Sequence, residues 1–336
     1  MWKFYKILFF NSLIMGTLIA ISSYSWFTMW IGLEINLLSM IPLMNDYKNL
    51  YPSEAALKYF ITQALASTIL LFSVIFLLKM TEFLIWNMNY WMLIIFNSSL
   101  LLKVGAAPFH AWFPEVMEGL NWINCLIMLI WQKIAPMMLL MYNFQMSYLF
   151  YMIIISSFIG GIFGLNQMSL RKIMTYSSIN HISWMLASMM NSQTIWFIYF
   201  MIYSVITINI ILIFWILNIF YMKQLLLMFN YNKNLKFFFI LNFLSLGGLP
   251  PFLGFFPKWL TINNLIQNYF YSISFLLIIF TLITLFFYLR IMFSSLLINM
   301  NETLIFFNKK IYYTVLFFNF LSLIGLLSCT FIFNIY

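Results

Sequence analysis

Five ionisable side chains lie inside long apolar runs: Glu34, Lys103, Lys133, His181 and Lys258. A full charge at the centre of an isolated membrane helix costs roughly 2.5–3.5 kcal/mol, so such groups are rarely idle. Desolvation disfavours the charged form of an amine and of a carboxyl alike, which draws both toward exchanging protons near neutral pH. The chemistry these residue types offer is reversible proton binding. Two of the lysines stand beside interruptions of an apolar run. Lys103 belongs to Leu101-Leu-Lys-Val-Gly-Ala-Ala-Pro-Phe-His-Ala-Trp-Phe-Pro-Glu-Val-Met-Glu-Gly119, and Lys258 to Gly247-Gly-Leu-Pro-Pro-Phe-Leu-Gly-Phe-Phe-Pro-Lys-Trp259. Gly and Pro there free backbone groups that lipid cannot satisfy.

Each residue also has a quieter reading. Glu34 and Lys103 could form a static buried ion pair. Lys133, between Gln132 and Pro136, could snorkel to an interface. His181 could be a packing histidine, and His110 a structural one just past its break. Glu115 and Glu118 read as solvated loop charges or subunit contacts. Ser177, Asn180, His181, Trp184 and Ser188 recur at helical spacing and form a polar stripe, with a shorter one at Lys58 and Thr62. Redox chemistry has no residues here: there is no dinucleotide or phosphate-loop motif, and two histidines and two cysteines (Cys125, Cys329) offer no haem or iron–sulfur ligation.

The elements that must position these groups are membrane helices. Hydrophobic residues make up 65% of the 336-residue chain and charged residues 7%, with a mean hydropathy of +0.98, far from soluble composition. The expected fold is all-α and integral to the membrane. About eleven spans are expected, near 5–22, 25–43, 55–79, 84–104, 121–143, 148–166, 172–190, 194–222, 235–260, 271–293 and 311–333. The first run reads as a span and not as a removable leader. Trp26, Trp86 and Trp122 near span ends suit an aromatic belt. Most lysines and arginines fall in loops on the N-terminal side, among them Lys3, Lys6, Lys48, Arg171, Lys172, Lys223, Lys309 and Lys310. That asymmetry predicts an N-terminus on the inner side and a C-terminus on the opposite face. The net charge of +9 is scattered, which argues against nucleic-acid binding. The broken segments are the fourth and ninth spans, five apart, so a five-helix repeat must be inverted. The division expected is 1–143 for one repeat, 148–300 for the other, and 311–336 as an additional span.

Several stretches resemble one family. The segment from Lys103 to Gly119, Arg171-Lys-Ile-Met-Thr-Tyr-Ser-Ser-Ile-Asn-His-Ile-Ser-Trp184, the segment from Gly247 to Trp259 and Gly32-Leu-Glu-Ile-Asn36 look like the signatures of the antiporter-like subunits of complex I. The likeness runs from about residue 28 to residue 293. It implies a core membrane subunit of the proton-pumping NADH:ubiquinone oxidoreductase of the mitochondrial inner membrane. Its partners would be neighbouring membrane-arm subunits and lipids, not a second copy of itself. NADH, FMN, iron–sulfur clusters and ubiquinone would be handled by other subunits, leaving no cofactor and no metal in this chain. Glu34 and Lys103 would be the family's coupled pair, Lys133 the central lysine, His181 a relay group and Lys258 the lysine of the second broken helix. Quinone reduction elsewhere would open or close the Glu34–Lys103 pair and move a proton past Lys133 toward Lys258. Bacterial members have fourteen spans, and the lack of the first three is shared by animal members. A free-standing cation/proton antiporter and a non-pumping scaffold are the competing readings; Glu34 as the sole carboxylate at depth counts against a sodium site.

Overall fold

Runs of apolar residues too long for a soluble helix fold here as helices that show lipid their large side chains. The computed structural model describes residues 4–45, 49–80, 86–229, 233–250, 252–297 and 319–320. The chain forms two compact units, Met1–Met152 and Ile153–Tyr336. Among the described residues seven helices are long and apolar enough to cross a membrane, which makes this a multi-pass membrane protein. The expected span at 311–333 lies outside the described residues, apart from Asn319 and Phe320.

The first unit holds α1 (Phe4–Ser22), α2 (Trp26–Met44), α3 (Tyr51–Met80), α4 (Trp86–Val104), α5 (Trp112–Gly119), α6 (Trp122–Leu129) and α7 (Trp131–Tyr142), and it ends within α8 (Met146–Gly164). Small residues set its tightest contact. A Cβ on Gly32 would stand 2.6 Å from the Ala20 nitrogen, and one on Gly16 2.9 Å from the Asn36 nitrogen. Backbones approach this closely where membrane helices pack through small residues four apart. Helix α3 turns Leu57, Ile61, Leu65, Phe72 and Ile75 outward and keeps Tyr59, Gln63, Ser67 and Leu70 inside. In a lipid solvent that arrangement places polar groups at the packed centre. Trp122, expected in an interfacial belt, is instead 1% exposed. The chain re-enters directly after Gly119, whose Cα is pressed onto the Tyr51 carbonyl of α3, so α6 begins inside the unit.

The second unit holds α9 (Leu170–Met189), α10 (Gln193–Leu217), α11 (Met222–Phe229), α12 (Lys233–Gly247), α13 (Phe255–Gln267) and α14 (Tyr271–Leu297). Helix α9 is its axis, with Ile173 through Met189 buried on every side. Arg290 of α14 closes the end of α8 by donating to the carbonyls of Leu165 (2.6 Å) and Gln167 (3.2 Å). The ninth span is two helices, α12 and α13, and extends to Gln267.

Both expected breaks are real, and they are built alike. Helix α4 ends at Gly105, φ +79°, and α12 at Gly248, φ +78°. The N–H of Gly105 reaches the Leu101 carbonyl at 2.9 Å and that of Ala106 the same carbonyl at 3.0 Å. Gly248 and Leu249 repeat this on Leu244 at 3.1 and 3.3 Å. This is the glycine-terminated Schellman ending, in which the left-handed residue turns the chain off the helix axis. The first break continues through a cis Ala107–Pro108 peptide.

Candidate functional site

The last four carbonyls of any helix lack an intrahelical donor, and the end carries partial negative charge. Each unit meets that demand differently. In the second unit Lys258, on the first turns of α13, reaches back across the break. Its Nζ donates to the carbonyl of Gly247 at 2.8 Å and of Leu246 at 3.2 Å. The amine lies 2.9 Å from where a Cβ on Gly248 would be, so only glycine admits it. Its other face looks onto the ring of Trp184, 5.9 Å from the centroid. Lys258 is thus 7% exposed and held by a helix terminus.

In the first unit other groups take the carbonyls. Trp112 Nε1 donates to Leu102 at 3.1 Å, and Gln63 Nε2 from α3 donates to the Lys103 carbonyl at 3.4 Å. The Lys103 amine makes no hydrogen bond or ion pair among the described residues. Lys103 is 6% exposed and lines a small cavity with Asn36, Tyr59, Gln63, Gln132, Leu33, Leu37 and Pro136. Side-chain amides knit its wall: Gln132 Nε2 donates to Asn36 Oδ1 at 3.0 Å, and the Tyr59 hydroxyl donates to Gln132 Oε1 at 3.4 Å. Polar walls of this kind suit internal water.

Glu34 does not touch Lys103. It is half-buried on α2, next to the cavity residues Leu33 and Asn36. Among the described residues the direct ion pairs belong to Lys58, which bonds Glu54 at 3.1 Å and Glu115 at 3.0 Å. The static Glu34–Lys103 contact pair is therefore not what the structure holds. Lys133 does not snorkel: it is 1% exposed and its Nζ lies 5.6 Å from the Phe113 centroid, a cation–π distance. Phe113 in turn packs against Gly105 of the break. The fifth span is interrupted at Ile130 (φ −112°, ψ −66°) between α6 and α7, three residues before this lysine. Pro136, inside α7, removes the donor that would have reached the Gln132 carbonyl.

His181 is 5% exposed, its Nδ1 hydrogen-bonds the Tyr199 hydroxyl at 2.9 Å, and its ring lies 5.1 Å from that of Tyr203. With Tyr199, Tyr203, Ser245, Gly254 and Pro257 it borders a small cavity. The expected wet stripe of α9 is drier than its composition suggests. Ser177, Ser183 and Ser188 give their hydroxyl protons to carbonyls three residues back at 2.6–2.8 Å, as serine commonly does within helices. Asn180 reaches outward, to Thr284 Oγ1 at 3.4 Å. No Asp or Glu occurs among the described residues of this unit.

The second break also explains a signal missed in the sequence. Taken from their glycines, Gly105 and Gly248, the two breaks align without a gap: Pro108 with Pro251, Phe109 with Phe252, Phe113 with Phe256, Pro114 with Pro257 and Glu115 with Lys258. Lys103 aligns with Leu246. His110, in the turn after α4, hydrogen-bonds the Pro108 carbonyl at 3.2 Å through Nδ1, and partial burial lowers its affinity for a proton.

A family model described as "NADH:quinone oxidoreductase/Mrp antiporter, TM" matches residues 23–286. The chain belongs to this family. It is 50% identical to the protein named NADH-ubiquinone oxidoreductase chain 2 of Anopheles gambiae, over 98% of both chains. The protein of that name in Locusta migratoria is 46% identical over 88% of this chain and 87% of its own. Among solved structures, a chain of respiratory complex I from Thermus thermophilus superposes with a TM-score of 0.87 at 23% identity, over 97% of this chain and 79% of that one. A chain of the Mrp complex from Dietzia sp. does so with 0.76 at 15%, over 84% and 59%. At those identities the structures speak to the fold.

Proposed function

We propose that this chain is the chain-2 membrane subunit of a proton-pumping NADH:ubiquinone oxidoreductase, seated in the mitochondrial inner membrane among other subunits of that complex. Its N-terminus faces the matrix and its C-terminus the intermembrane space, in keeping with the basic loops on the N-terminal side. It carries no redox step; NADH, flavin, iron–sulfur clusters and quinone belong to other subunits. The observation that carries the reading is the buried, uncommitted amine of Lys103 on a polar cavity beside a broken helix. In a membrane such a group is functional by default.

Within the first unit, Glu34 near the cavity wall steadies a proton on Lys103 when close and releases it when drawn away. The charge change is felt at Lys133 across Phe113, because fields reach far in a medium of low dielectric. In the second unit His181 and Lys258 bind and release protons in the equivalent part. The two breaks are the discontinuous helices of an inverted repeat. Redox energy enters from outside the chain, as a displacement of charge near Glu34.

The test is the number of protons pumped per NADH oxidised in vesicles carrying assembled complex with Lys133→Met. A lower ratio, or joint loss of pumping and quinone reduction, is expected. Normal rate and normal stoichiometry in fully assembled enzyme would leave this residue a scaffold and discard its relay role.

A further inference from the structure

We propose that Trp112 and Gln63 are positioning residues for Lys103, which take over the capping of a broken helix that the second unit performs with its own lysine. The inference rests on the reading of Lys103 as a proton-binding group. The two breaks have the same glycine ending and the same residue order, so they expose equivalent carbonyls. In α12 the Leu246 and Gly247 carbonyls receive the Lys258 amine. In α4 the carbonyl aligned with that of Leu246 is that of Lys103 itself, and Gln63 donates to it, while Trp112 donates one residue earlier, to Leu102, the counterpart of Ser245. Position 115, aligned with Lys258, is a glutamate. A carboxylate has no donor for carbonyls, and Glu115 points away to Lys58.

Without Gln63 the Lys103 carbonyl would lack a donor inside the protein, and without Trp112 the Leu102 carbonyl would keep only the Gly105 N–H at 3.2 Å, with an ammonium group on the same last turn. A buried carbonyl left without a donor is unfavourable, and a cation is drawn to a helix C-terminus. Lys103 would fold back onto its own helix end. The indole N–H and the amide prevent that with neutral donors, whose bonds do not change when the lysine gains or loses a proton. Lys103 is thereby left on the cavity with Asn36, Tyr59 and Gln132. The Lys58–Glu115 pair joins α3 to α5, as does the tight contact at Gly119. These contacts hold Gln63 in register with the end of α4.

The experiment is Trp112→Phe in the assembled complex, which keeps an aromatic ring against Tyr59 and Phe113 and removes the N–H. Gln63→Met is made in parallel, as a second route should the first variant fail to assemble. Electron cryo-microscopy reads the position of the Lys103 amine, and proton-to-electron stoichiometry is measured on the same preparation. The expected result is an amine turned within hydrogen-bonding distance of the Leu102 or Lys103 carbonyl, with fewer protons per electron. An amine that moves without any change in stoichiometry supports the positioning role and removes Lys103 from the proton path. An amine that stays on the cavity overturns the proposal whatever the stoichiometry.

Discussion

Lys258→Met removes the amine that closes the end of α12. Two charge-assisted hydrogen bonds are lost, to Gly247 at 2.8 Å and Leu246 at 3.2 Å. Hydrogen bonds to charged groups contribute roughly 1.5–3 kcal/mol each, so the break is expected to lose about 3–6 kcal/mol. The lower figure already corresponds to about a hundredfold in an opening equilibrium. Lys258→Gln keeps a shorter donor able to reach one carbonyl, and should lose about half as much free energy. Amide exchange followed by mass spectrometry on assembled complex, over the peptide containing Gly248 and Leu249, reads this opening directly. The expected order of protection is native, then Gln, then Met. Exchange unchanged within about threefold in the Met variant would refute the capping argument, because among the described residues no other donor reaches either carbonyl. Proton stoichiometry measured alongside separates the two roles. A glutamine variant that restores protection without restoring pumping assigns capping to hydrogen bonding and pumping to the charge.

A Cβ at Gly254 would stand 1.7 Å from the Ser245 carbonyl oxygen, so Gly254→Ala should displace the break and reduce the complex assembled, as seen by native gel electrophoresis. Normal assembly and pumping would show that the backbone there yields easily. Gln132→Leu removes the bonds to Asn36 and Tyr59 and should destabilise the first unit by about 1–3 kcal/mol through unmet polar groups. Thermal inactivation of the assembled enzyme checks it, and an unchanged midpoint would mean that the cavity wall re-forms without that amide.

Much of this architecture was written in composition. Runs such as 55–79 and 271–293 could only be membrane helices, and Gly105 and Gly248 announced where α4 and α12 end. The interruption at Ile130 was not legible, because isoleucine is no helix breaker and Pro136 frees the Gln132 carbonyl, not that of Ile130. Likewise a sequence lists Glu34 and Lys103 as opposite charges at depth but cannot say whether they touch. It is Lys58, nearer a helix end, that gathers the ion pairs. The polar stripe does lie on one helix, α9, yet that helix is buried all round and its serines bond their own carbonyls, a local choice that spacing alone does not reveal. The residue-by-residue match of the two breaks lay in the sequence throughout. The lysines hid it, since one precedes its glycine and the other follows it by ten positions.

The helix end beneath Lys258 has a further consequence for charge balance. A helix C-terminus presents about half an elementary negative charge, and the described residues of the second unit contain no carboxylate to add to it. With its proton, the amine leaves about half a positive charge uncompensated; without it, about half a negative one. A carboxylate partner would make one state neutral and the other fully charged, and so would trap the proton. Here the two states lie equally far from neutrality. An arrangement of that symmetry favours passage over storage, and it leaves a modest field from outside the unit able to decide which state prevails.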